Sequence, residues 1–114
     1  MTEKSLYEDG NFIVYYCRPP YDHAIFIKYP QLGIGEGEEF SLPRGVLEEL
    51  ATTDRDRIES KIYNLNPRIS EVLENQRISL DGLHVAICQA YIAHEKIAKF
   101  DIKKQKNLIR ARRH

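Results

Sequence analysis

The sequence predicts one α+β domain, an N-terminal antiparallel sheet of two or three strands packed against about four helices, the C-terminal one long and basic. Three observations predict it. β-branched and aromatic runs are confined to residues 1–42, where they read as strands. From Val46 onward apolar residues recur at three- and four-residue steps, the period of amphipathic helices. Prolines and glycines separate the segments, and 114 residues is the common size of a single domain. Three regions follow: a sheet region over 1–42 containing a flexible Gly/Glu loop at 31–39, a helical region over 43–98, and a basic helix end or tail over 99–114.

The first strand is expected over 11–17, where Phe12, Ile13, Val14, Tyr15 and Tyr16 succeed one another. Arg18-Pro-Pro-Tyr-Asp22 breaks it, because proline has no N–H to give to a ladder. The second strand covers 23–29 and stops at Pro30. A five-residue link between two such runs predicts an antiparallel hairpin. Both strands are apolar at nearly every position, which predicts helices on one face of the sheet and a further cover, such as a second subunit, on the other. Gln31 to Glu39 reads as a loop or hairpin tip, and Phe40-Ser-Leu42 as a short third strand.

Pro43 precedes a first helix on which Val46, Leu47 and Leu50 share a face. Thr53 and Asp56 have the spacing of a capping box ahead of a second helix bearing Ile58, Ile62 and Leu65. Asn66-Pro67 supplies a cap and a first-turn proline for a third, with Ile69, Val72 and Leu73 on one face and an end near Gln76. Ser79 caps a fourth, with Asp81 placed to favour its dipole. Along it Leu80, Leu83, Ile87, Ala90, His94 and Ile97 form a packing seam, and Lys96, Lys99, Lys103, Lys106 and Arg110 a basic stripe. A helix from Leu80 to Arg112 is about 50 Å long, whereas a compact domain of this size has a radius of gyration of only about 13 Å. Either the helix breaks near Phe100–Ile102 or its basic end projects.

The net charge is zero but the layout is dipolar. Residues 1–60 carry twelve acidic against six basic side chains, and residues 61–114 five against eleven. In the last stretch Lys99, Lys103, Lys104, Lys106, Arg110, Arg112 and Arg113 stand against Asp101 alone. This cation is the leading candidate for contact with an anionic partner, either the phosphates of nucleic acid or the acidic half of another protein or a neighbouring copy. No aromatic residue follows Phe100, so no base-stacking platform is evident there.

Other constellations carry less. Gly33-Ile-Gly-Glu-Gly37 lacks the spacing of a dinucleotide fingerprint, opens no helix, and lies beside carboxylates that repel phosphate. His84, Cys88, Tyr91 and Glu95 share a helical face, but ligands from one helix do not close a tetrahedron around zinc. Cys17 and His23 pair a thiol with a base across the hairpin, although a cysteine ending an apolar strand ordinarily packs as a small hydrophobe. Phe40 to Leu50, a short strand leading into a leucine-bearing helix, resembles ribbon-helix-helix DNA-binding proteins over these eleven residues. That resemblance implies DNA contact through polar strand side chains, and here the flanking residues are Glu38 and Glu39.

The expected function is a small non-enzymatic binding or regulatory protein acting through macromolecular contacts as a homo-oligomer, with no catalytic residue, metal or cofactor assigned. The alternative is a binder of an anionic or nucleotide-like small molecule at a site between subunits, gripped by Arg18, Arg44, Arg55 or Arg57. A DNA-binding regulator is the third reading. Two cysteines are too few for a secreted disulfide framework. The polar start Met1–Ser5 and the lack of an 18-residue apolar run point to the cytoplasm, without a leader or membrane contact.

Overall fold

A computed structural model describes the backbone of residues 5–18 and 22–112 and the side chains of 5–17 and 23–99. The fold is α+β, with four strands in the order β1-β2-β3-β4 followed by four helices. The strands are β1 (Ser5–Glu8), β2 (Phe12–Arg18), β3 (Asp22–Lys28) and β4 (Gly37–Leu42). Each pairs antiparallel with the next. The sheet therefore has one strand more than the two or three expected. β1 is only four residues long and buries Leu6 alone, so no period of its own announces it. Its order comes from pairing with β2 across a turn in which Asp9 accepts the N–H groups of Asn11 (2.7 Å) and Phe12 (2.8 Å). Tyr7 and Lys28 also face that carboxylate, and these contacts outweigh burial and hold it below the usual range.

In-register pairing puts Phe12 beside Ile27, Val14 beside Ile25, and Ile25 beside Phe40. These side chains form the buried face, against which the helices α1 (Val46–Ala51), α2 (Arg55–Leu65), α3 (Pro67–Gln76) and α4 (Leu80–Arg112) build the core. The buried helical residues are those the spacing selects: Leu47, Leu50, Ile58, Ile62, Ile69, Val72, Leu73, Leu83, Ile87 and Ala90, joined by Ala86. Each large one contributes about 1.5–3 kcal/mol by leaving water. Asn66 caps α3 by accepting the Arg68 N–H at 3.0 Å, and Ser79 caps α4 by accepting that of Gly82 at 3.0 Å. The expected Thr53 box does not form. The Thr53 hydroxyl instead donates back to the Glu49 carbonyl at 2.6 Å, and Asp54 occupies the cap position without a side-chain bond.

α4 runs unbroken to Arg112, so the expected break near Phe100–Ile102 does not occur. The longest dimension of the molecule is 60 Å and its radius of gyration 16.3 Å, above the roughly 13 Å of a compact domain. No helix among the described residues is long and apolar enough to cross a membrane.

Candidate functional site

At the end of the sheet where β2 and β3 join, the buried row closes on polar groups. His23, the second residue of β3, pairs in register with Tyr16 and Leu42 and is only 4% exposed. Beyond Leu42 the chain turns through Pro43-Arg44-Gly45 into α1, Gly45 taking a positive φ of 85° that suits a residue without Cβ. α4 crosses this end with Tyr91, His94 and Glu95 in adjacent turns. Together His23, Arg44, Leu47, Glu48, Tyr91, His94 and Glu95 enclose a cleft of about 240 Å³.

Aromatic contact and hydrogen bonds fix its walls. The rings of Tyr16, His23 and His94 form a triangle, with centroids 5.0 Å apart for Tyr16–His23, 5.1 Å for His23–His94 and 5.9 Å for Tyr16–His94. The Tyr16 hydroxyl lies 2.8 Å from His94 Nδ1. With the phenol as donor, Nδ1 accepts and the imidazole carries its proton on Nε2. The Tyr91 ring stacks beside His94 with centroids 6.3 Å apart, and its hydroxyl meets Glu95 at 2.5 Å and Glu48 at 3.0 Å. These two carboxylates, Glu95 first, raise the Tyr91 phenol well above its usual range, so it remains a donor. One phenolic hydrogen serves two carboxylates, each with about four acceptor sites. The carboxylate pair has acceptor capacity to spare.

Among the described side chains of the arginines expected to grip an anion, Arg44 lines the cleft and Arg55 and Arg57 do not. Arg55 pairs with Asp81 at the start of α4, about 20 Å along that helix from His94 at 1.5 Å or so per residue. Arg57 is exposed on α2, and the Arg18 side chain lies outside the described residues. The described lining of the cleft comes from one chain. The face of His84, Cys88, Tyr91 and Glu95 divides: Cys88 Sγ–H points to the Ala51 carbonyl at 3.6 Å, while Tyr91 and Glu95 line the cleft. Burial raises the Cys88 thiol above its usual value, as for a packed, unreactive sulfur. The His23 ring meets Tyr16 at a tilt of 35° and His94 edge-on at 87°. Of the basic segment, Lys99 is exposed; the side chains of Lys103, Lys104, Lys106, Arg110, Arg112 and Arg113 lie outside the described residues.

Glu48, Tyr16 and the role of His94 escape a reading of the sequence. The available signal is slight: His94 interrupts an otherwise apolar seam, and Tyr91-x-x-His94-Glu95 puts three polar groups on adjacent turns. Comparison with protein-family models, with curated proteins and with solved structures returns no match to this chain.

Proposed function

We propose that this is a non-enzymatic binding protein whose cleft takes a metabolite-sized ligand with an anionic group and a hydroxyl or amino donor. The convergence of Arg44 and two imidazoles with the Glu48–Tyr91–Glu95 wall in one cleft carries this reading. Arg44 lines the cleft with a guanidinium, the group whose fork matches a carboxylate or phosphate, and the carboxylate pair asks for a donor. At about 240 Å³ the cleft is below the size of drug-like pockets, so it suits a hydroxy acid or amino acid better than a nucleotide. The tyrosines and His94 are held by one another, as parts of a preformed surface.

Histidine ring NMR during titration with glycine, lactate and inorganic phosphate tests the proposal. Ligands bearing both groups should move the His23 and His94 signals and leave His84 in place, and inorganic phosphate should bind more weakly. Arg44→Gln should lower affinity roughly 10- to 100-fold, the loss of one charge-assisted hydrogen bond. Unmoved His23 and His94 signals with all three compounds, or equal binding by Arg44→Gln, would sink it.

A further inference from the structure

On the second face of the sheet Glu39 and Ser41 are exposed and Ile13, Phe26, Lys28 and Gly37 half-buried, while Tyr15 and Ala24 are buried. The rows of this face are Ile13 and Tyr15 on β2, Ala24, Phe26 and Lys28 on β3, and Gly37, Glu39 and Ser41 on β4. Tyr15 reaches across Ala24 to donate its hydroxyl to Glu39. Phe26 lies across Gly37, where a Cβ would collide with the Ile27 carbonyl and lie 2.6 Å from the ring. Beside them opens a groove of about 420 Å³ lined by Glu8, Ile13, Phe26, Lys28, Ile34 and Glu36. Leu32 and Ile34, on the adjoining hairpin, are exposed. The floor is apolar and the rim acidic: Glu8, Glu36 and Glu39 stand against Lys28, which Glu8 already pairs at 2.9 Å.

The other unmatched feature is the end of α4. Among the residues whose side chains are described, which end at Lys99, the last of α4 packed against the core is Ile97, and the helix continues to Arg112. Those further turns extend about 22 Å, enough to cross a four-stranded face whose outer strands are about 14 Å apart. The segment carries Lys99, Lys103, Lys104, Lys106, Arg110, Arg112 and Arg113 with one acid, Asp101, and intersperses Phe100, Ile102, Leu108 and Ile109. α4 packs against β1 and β2 of its own chain and continues as one helix to Arg112.

We infer that the end of α4 beyond Ile97 lies across the second sheet face of another copy. Each copy has one arm and one acidic, apolar-floored face, so reciprocal exchange closes a two-fold dimer. A helix layer against a sheet face is the usual completion of an α+β architecture. Two such faces meeting without arms would instead set their acidic rims against each other. The dimer is independent of the cleft and its ligand.

Sedimentation equilibrium, at low and high salt, of the full chain and of a chain ending at Ile102 provides the test. The full chain should dimerise at low salt and weaken at high salt, where exposed charges are screened beyond roughly 8–10 Å or less. The shortened chain should be monomeric. Glu8→Lys with Glu36→Lys should weaken the dimer about tenfold, and adding Lys103→Glu with Lys106→Glu in the same chain should restore it. Circular dichroism checks that each variant folds. A monomer at every concentration, or a dimer indifferent to the deletion, overturns the inference. So does a monomeric full chain that binds a labelled DNA duplex through this segment, for the arm is then a nucleic-acid contact.

Discussion

Glu38 shows how a charge is accommodated on a buried row. It pairs in register with Ile27 on the helix-facing side of β4. Arg68 of α3 reaches it through Nε at 3.1 Å and Nη2 at 3.0 Å, and the Tyr29 hydroxyl donates to it at 2.8 Å. The Arg68 bonds first, then that of Tyr29, hold the Glu38 carboxyl below the usual range against the opposing effect of burial. A carboxyl whose folded value is depressed stabilises the fold above its unfolded value, about 4.3. That stability is lost as pH falls through the lower folded value. Glu38→Gln should therefore be less stable than the parent at neutral pH, with the deficit shrinking as pH drops below about 4. Urea midpoints at pH 7 and across the acid range check this, and a deficit that stays constant with pH would mean that the side chain contributes packing alone. Neither this triad nor the cleft was legible in the sequence. Tyr16 and His94 are 78 positions apart and Arg68 and Glu38 are 30 apart, and no local period encodes which polar groups the topology will bring into contact.

At the scale of elements the sequence said more, because local rules decide helices. Asn66-Pro67 and Ser79 cap where their chemistry requires, and the apolar spacing identified nearly every inward residue of α2, α3 and α4. The exceptions have physical reasons. β1 is stabilised by its partner strand and not by its own pattern. Thr53 found a nearer acceptor in the helix behind it. The end of α3 shows a third kind of exception. Arg77 takes φ 56°, its N–H reaches the Glu74 carbonyl, and the Ile78 N–H reaches that of Leu73 at 2.9 Å. This is a Schellman motif with arginine at the position that favours glycine. A left-handed conformation costs an L-residue about 1–2 kcal/mol, whereas glycine costs about 0.5–1 kcal/mol more backbone entropy on folding. Arg77→Gly should thus stabilise the protein by about 0.5 kcal/mol net, measured as a higher urea midpoint at unchanged slope. A lower midpoint would show that the Arg77 side chain contributes more than the backbone loses.

At the scale of the whole molecule, a buried body is followed by a helix that runs on past its last described core contact. The buried cluster spans Leu6 to Ala90 and gathers Ile97 at its edge, while α4 continues for fifteen residues beyond Ile97 to Arg112. The sequence posed this as a choice between a broken helix and a projecting one. Propensity could not decide it, since Lys, Gln, Arg and Leu all favour helix in either case. If the arm takes no part in folding its own chain, ending the chain at Ile102 should leave the stability of the monomer within about 0.5 kcal/mol of the parent. Its denaturant slope should also stay the same, because that slope follows the surface exposed on unfolding. The comparison belongs at high salt and low protein concentration, where self-association does not add to the parent's stability by mass action. Ile87→Ala supplies the contrast: the same helix, within the body, should lose about 2–5 kcal/mol when that buried side chain is cut back. A shortened chain as unstable as Ile87→Ala would mean that the end of α4 packs on its own body, and the arm would then have no surface left to offer a second copy.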